Sequence, residues 1–169
     1  MSKHLKITLL ILSIFCIEST QAKISIKPSN EKELLANEIY QKIRSEHFFK
    51  DRKFQELNLR LGQALFEQLD SQKIYFTKNE ISRYTKDFKT SSSDIELHIS
   101  YELINAYFNR LIEATNYQIR AVKKNNFNFY KQEEIILDDD IRAWQGSSLQ
   151  LRRAWARLAK NDVLTSMLA

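Results

Sequence analysis

The scarcity of glycine and proline constrains this chain more than any other feature of its sequence. Only two glycines and one proline occur in 169 residues. A β-sandwich or barrel needs a turn about every 8–12 residues, and such turns draw heavily on these two residue types. A glycine-rich phosphate loop also needs more than Gly62 and Gly146 can supply. The sequence therefore predicts an all-α domain and argues against both of these classes.

The first 22 residues have the pattern of a secretory signal peptide. Lys3 and Lys6 form a basic start, and residues 7–17 form an apolar stretch. A membrane-spanning helix needs about 20 apolar residues, so this stretch is short for an anchor. Small residues at Thr20 and Ala22 predict cleavage after Ala22, with an uncleaved anchor as the alternative.

Cleavage after Ala22 would remove Cys16, the only cysteine of the chain. An exported domain without cysteine forms no disulfide, so packing alone has to hold it together. Because the leader is bacterial in style, we expect a periplasmic location and no stable membrane span after cleavage. The mature chain is expected to consist of an extended N-terminal segment, 23–29, and a helical domain, 30–169.

Apolar residues at helical spacing predict a bundle of about five to six helices with one long central helix. The long helix is placed at about 94–124, and a short extended segment is allowed near 135–137. Aromatic residues Tyr75 and Phe76 lie in a connection and are expected to fill the core. The stripe of the long helix repeats at spacings of three and four and needs a long partner, for which helices of the same chain are favoured over another protein. It consists of Leu97, Tyr101, Ile104, Phe108, Leu111, Thr115, Ile119 and Val122.

Helix starts are indicated by residues with N-capping side chains. Asn30 is predicted to cap the first helix. Thr77 with Glu80 forms one capping box, and Ser93 with Glu96 forms a second, because the hydroxyl can accept from the third helical amide while the glutamate reaches back.

An apolar run near the C-terminus is the candidate interaction surface. The last helix is predicted to begin near Ser147 or Ser148, and it becomes apolar again over its final residues. Chain ends are usually loose and polar, so such a run suggests contact with further protein. The candidate surface comprises Val163, Leu164, Met167, Leu168 and Trp155.

No group of residues predicts an active site, a metal site or a cofactor. His47 and His98 are far apart, and the acidic residues around Glu133 and Asp139 lack the spacing and the glycine of a calcium loop. The formal net charge of +5 is spread along the chain and nearly balanced by acids, so no nucleic-acid partner is expected.

Three stretches of the chain, taken together in their order, indicate a relationship to known proteins. Residues 65–84 read LFEQLDSQKIYFTKNEISRY, residues 128–138 read NFYKQEEIILD, and residues 151–169 read LRRAWARLAKNDVLTSMLA. Together they resemble the N-terminal region of the tail-specific, or C-terminal processing, proteases of bacteria. The resemblance covers about 34–169. Ser71 stands where the family has proline, and the two prolines that the family places around Trp144 are absent.

The resemblance implies the helical part of a protease without its catalytic apparatus. Active members of the family continue into a PDZ domain that captures substrate C-termini and a peptidase domain with a serine nucleophile and a lysine base. The family places a glutamine four residues after that lysine, and no lysine of this sequence has one there. We therefore expect neither catalytic residues nor a cofactor in this chain.

Four functions remain open at this stage. The first is a non-catalytic scaffold or docking module of a truncated or split tail-specific protease, whose partners would be the PDZ and peptidase portion or an adaptor protein. The second is one piece of a two-chain serine endopeptidase. The third is a decayed remnant that aggregates through exposed apolar surface. The last is an unrelated exported bundle that binds a protein partner through its long helix.

Overall fold

A computed structural model describes residues 23–46, 54–90, 97–125, 127–136, 138 and 141–169. Within these ranges the chain forms helices and no strand, apart from one isolated parallel bridge between Thr77 and Gln145. The prediction of an all-α bundle with one long helix is confirmed. No helix in the described ranges has the length and apolar content needed to cross a membrane. The helices are α1 (Asn30–Glu46), α2 (Phe54–Asp70), α3 (Lys78–Thr90), α4 (Leu97–Lys124) and α5 (Ser148–Leu168).

Two of the predicted helix starts are present as hydrogen-bonded caps. At the start of α3, Glu80 Oε2 accepts from the Thr77 amide at 2.8 Å, and Thr77 Oγ1 accepts from the Glu80 amide at 3.3 Å. At the start of α5, the Ser147 side chain accepts from the amide of Gln150. These contacts join residues three apart, which is why the sequence alone identified them.

The start of α1 differs from the prediction by one residue. Ser29, not Asn30, takes the capping position, because its hydroxyl accepts from the Lys32 amide at 3.4 Å. Asn30 is already the first helical residue. The second predicted capping box, Ser93 with Glu96, lies outside the described residues.

The main core lies between α2, α3 and α4 and is largely aromatic. Phe76 is 1% exposed, as expected for a connection that fills the core. Its ring meets the Phe66 ring edge to face at a centroid distance of 5.8 Å, a favourable aromatic arrangement. The buried members of this cluster are Phe66, Phe76, Tyr84, Phe88 and Leu103.

Asp70 fixes the path of the connection between α2 and α3. Its carboxylate is almost fully buried and accepts the backbone N–H groups of Ile74, Tyr75 and Phe76 at 2.8–2.9 Å. Burial raises the pKa of Asp70, although the three amide donors act in the opposite direction. Because the carboxylate gathers three successive donors, it directs Phe76 into the core and positions the carbonyl of Ile74.

The long helix α4 buries a different face from the predicted stripe. Its buried residues are Ser100, Leu103 and Ala114. Successive helical residues point about 100° apart, so Leu103 and the predicted Ile104 lie on different faces. Ile119 and Val122, at the end of the predicted stripe, are 45% and 44% exposed. Two of the three buried residues, Ser100 and Ala114, have small side chains that contribute little to a pattern of large apolar residues. Such a pattern therefore does not identify this face.

The segment before α1 lies along α4 through a pair of asparagine side chains. Asn109 donates to the carbonyl and accepts from the amide of Ile24, both at 2.9 Å. Asn105 makes the same two contacts with Ile26 at 2.7 Å. Four helical residues rise about 6.0 Å and two extended residues span about 6.6 Å, so the spacings match. The contacts are made only to backbone atoms of the segment.

The close approach of α2 and α3 depends on Gly62. A Cβ atom built at Gly62 would lie 2.5 Å from Cδ2 of Phe88, and Phe88 is fully buried. We expect Gly62→Ala to lower the free energy of unfolding by about 1–2 kcal/mol, because displacing a core ring costs about 1–3 kcal/mol and outweighs the helix propensity gained. Urea denaturation followed by circular dichroism measures the change.

Gly146→Ala is the matched control for this substitution. A Cβ there would approach only the end of the exposed Gln150 side chain, at 2.9 Å from Oε1, and that side chain can move away. We expect a change below about 0.5 kcal/mol. Equal stability of the wild-type chain and Gly62→Ala would contradict the assigned packing of Phe88.

Candidate protein-docking surface

The C-terminal half of α5 presents apolar side chains to solvent. Ala159 is the last buried residue of the helix. Beyond it, Leu164 is 39%, Met167 69% and Leu168 79% exposed, and Val163 is half-buried. Leu164, Met167 and Leu168 are spaced by three and four residues and therefore share one face. We call these three residues the α5 end patch.

Trp155 has to be removed from the predicted interaction surface. The structure buries it to 1% exposure, and its indole Nε1–H donates to the carbonyl of Ile74 at 2.7 Å. Its ring packs against Tyr117 of α4 at a centroid distance of 6.0 Å. Two helical turns separate Trp155 from Val163, and the helix passes from the core to solvent over that distance.

The buried face of α5 holds the helix against α4. Leu151, Trp155 and Ala159 recur every four residues and are all buried. Ala114 of α4 forms one buried cluster with Leu151 and Trp155. Tyr117 covers the cluster from α4. The docking of this first half therefore fixes the direction in which the second half leaves the bundle.

A chain of ion pairs also joins α5 to α4 and α3. Arg152 Nη2 lies 3.0 Å from Glu113 Oε1, and Arg110 contacts both Glu113 and Glu80, the latter at 2.6 Å. Burial alone would raise the pKa of Glu80, but hydrogen bonds from Thr77 and Arg110 together lower it. The capping glutamate of α3 thus has a second role that its local sequence pattern did not indicate.

A second apolar face without a described cover lies on α1. Tyr40, at 4% exposure, is the buried hydrophobic residue of this helix among its described side chains. The rest of its apolar surface is open to solvent, and it is a further candidate for contact with protein. The exposed members are Leu34, Leu35, Ile39 and Ile43, at 65%, 53%, 50% and 45%.

The polar residues considered as catalytic or metal-binding candidates do not form a common cluster within the described ranges. His98 lies beside Glu102 at 3.1 Å on an exposed turn of α4, whereas His47 falls outside the description. Glu133 is paired with Lys131 and Lys160. Among the described residues, no three His, Cys, Asp or Glu side chains lie close enough to hold a metal ion.

Comparison with known proteins covers most of the helical region. A search of curated proteins finds no match to the chain. The family model of the tail specific protease N-terminal domain matches residues 39–169. That span includes α2 to α5 and residues 39–46 of α1, so the matched region has the helical fold described above. The match confirms the resemblance found in the sequence, and the chain belongs to the tail specific protease N-terminal domain family.

Proposed function

We propose that this chain is a non-catalytic docking module of a periplasmic tail-specific protease. Its role is to hold other protein parts of that protease, or an adaptor protein, rather than to cleave peptide bonds. The observation that carries the proposal is the α5 end patch: a helix that begins in the core and ends with exposed apolar residues at i, i+3 and i+4. The periplasmic location rests on the leader pattern of residues 1–22.

The geometry of the α5 end patch suits insertion of a helix into a groove. Apolar anchors at spacings of three and four are the usual way in which a helix binds an apolar groove. Burial of such side chains contributes about 25 cal/mol per Å² of apolar surface removed from water. Met167 and Leu168 are the most exposed of the three, and they therefore have the most surface to lose on binding.

The proposal predicts that a charge in the α5 end patch weakens docking. The chain is expressed with its own leader, recovered from the periplasmic fraction, and mixed with the purified PDZ and peptidase portion of a bacterial tail-specific protease. We expect saturable binding by biolayer interferometry, weakened at least about tenfold by Met167→Asp, because an aspartate cannot be buried in an apolar groove without a partner.

Ser166→Asp is the control, because Ser166 is exposed on the same turn and points about 160° from Leu168. It adds the same charge and should leave binding within about twofold of the wild-type chain. Binding that survives Met167→Asp would place docking elsewhere. Absence of saturable binding by the wild-type chain would contradict the docking role. Failure to recover a product that starts at Lys23 from the periplasm would contradict the periplasmic location.

A further inference from the structure

A cleft lies between the C-terminal half of α4, the loop that follows it, and α5. Its volume is about 750 Å³, within the range of about 300–1,000 Å³ typical of ligand sites. Tyr117 of α4, Phe127 of the loop and Ala156 of α5 give it an apolar lining. The Tyr117 ring is fixed by the buried Trp155, so this wall of the cleft is part of the folded core.

Two lysines at the cleft neutralise its one described lining carboxylate. Lys160 Nζ lies 2.7 Å and Lys131 Nζ 3.1 Å from the oxygens of Glu133. Hydrogen bonds from Lys160 and Lys131 lower the pKa of Glu133, which keeps it ionised. Lys160 also donates to the Lys131 carbonyl, and this ties the loop to α5. The Glu133 carboxylate is therefore paired with Lys131 and Lys160, and it does not neutralise the other cations of the cleft.

The uncompensated cations are Arg153 and Arg157, which line the same cleft one helical turn apart. In the described part of the chain, neither guanidinium forms an ion pair with a carboxylate. Arg157 makes one long contact, 3.4 Å, with the Glu134 carbonyl. A guanidinium offers a planar fork of donors that fits a carboxylate with two parallel hydrogen bonds. Two such forks beside aromatic rings favour a ligand with both acidic and apolar groups.

The loop that contributes Glu133 to the cleft continues along its edge with backbone groups that could serve a longer ligand. Residues 132–136 have no regular secondary structure, and none of their amides donates to another backbone group in the described ranges. Two carbonyls of this stretch accept from arginine side chains: that of Glu134 from Arg157 of α5, and that of Ile136 from Arg142. An extended stretch with amides available can pair with a peptide backbone, which a small anion does not exploit.

We propose that this cleft binds an acidic peptide segment that carries an aromatic side chain. Arg153 and Arg157 would take its carboxylates, and Tyr117 and Phe127 would receive the ring. The net charge of the described lining side chains is positive, with four cations against Glu133. The site is distinct from the α5 end patch, none of whose residues lines it, and the inference stands without the docking role proposed above.

Peptide binding measured by fluorescence anisotropy tests the proposal. The probe is a labelled peptide, blocked at both ends, with a central Phe flanked by Asp and Glu; a second peptide has Lys at the acidic positions. We expect the acidic peptide to bind the purified chain saturably and the lysine peptide not to bind. Arg153→Glu should weaken the acidic peptide by at least about tenfold.

Arg60→Glu is the matched control, because Arg60 is exposed on α2 and does not line the cleft. The same charge reversal there should change the affinity by less than about twofold. Both variants should melt at the wild-type temperature. The proposal is overturned by the absence of saturable binding, by equal affinity for the lysine peptide, by equal losses in the two variants, or by full displacement of the peptide with millimolar inorganic phosphate, which would indicate a small-anion site.

Discussion

Asp70→Ala is expected to lower the free energy of unfolding by about 3 kcal/mol, because three backbone donors would lose their acceptor and each buried unsatisfied group costs about 1–3 kcal/mol. The carboxylate is 2% exposed and accepts from Ile74, Tyr75 and Phe76. Alanine leaves these amides without a partner. Urea denaturation at neutral pH, followed by circular dichroism, measures the loss.

Two further variants separate this cause from a general effect of removing an acid. Glu67→Ala removes an exposed carboxylate from the same helix, and we expect a change below about 0.5 kcal/mol. Asp70→Asn keeps one oxygen acceptor but turns an NH2 group toward the remaining donors, so an intermediate loss is expected. A loss below about 1 kcal/mol for Asp70→Ala would show that water replaces the carboxylate and that the turn does not depend on it.

The raised pKa of Asp70 predicts how the stability of the chain depends on pH. Burial is its largest cause and makes the charged form costly in the folded chain. A pKa above the unfolded value of 3.8 means that the contribution of this carboxyl group is fully present below that value and declines as the pH rises through the folded pKa. The stability difference between the wild-type chain and Asp70→Asn should therefore shrink as the pH rises through this window.

The elements that the sequence predicted correctly are those encoded within a few residues. The Thr77 and Glu80 cap needs only two side chains three positions apart, and the same holds for Ser147 at the start of α5. Helical periodicity likewise predicted the existence of α4. The Thr77 and Glu80 cap is kept in the fold because the distant Arg110 binds Oε1 of Glu80, whereas the capping hydrogen bond uses Oε2.

The buried face of α4 could not be read from apolar residues. The helix has apolar side chains on more than one face, and the choice between them depends on where α2, α3 and α5 pack. Ser100 and Ala114 are selected for the core although neither is a strong apolar signal. The pairing of Asn105 with Ile26 spans 79 residues, so no short pattern could indicate it.

The C-terminal helix shows the same limit within the candidate site. Periodicity placed Trp155 and Leu164 on one apolar helix, but it does not report where along the helix the core ends. Trp155 can be buried without an unsatisfied donor because its indole N–H donates to the Ile74 carbonyl. That carbonyl is positioned by the turn around Asp70. The buried first half of α5 and the α5 end patch thus belong to one helix, and they differ in whether other elements of the bundle pack against them.

Trp155→Ala is the second large effect, with an expected loss of about 3–5 kcal/mol, the usual cost of removing a fully buried large aromatic side chain. Trp155 is 1% exposed and joins α5 to Tyr117 of α4 and to the Ile74 carbonyl. Trp155→Phe keeps most of the ring but lacks the N–H donor, so it should lose about 1–3 kcal/mol through the unpaired carbonyl. Leu149→Ala, at an exposed position of the same helix, is the control.

Thermal and urea unfolding of these three variants distinguish a core tryptophan from a surface one. If Trp155 held α5 only weakly, Trp155→Ala would resemble Leu149→Ala, with a change of about 0.5 kcal/mol or less. If it joins α5 to the bundle as the contacts indicate, Trp155→Ala also has to weaken binding at the α5 end patch, because that patch is positioned by the buried half of the same helix. Trp155→Phe should keep the docking while losing stability, and this separation identifies Trp155 as a residue that orients the docking surface without belonging to it.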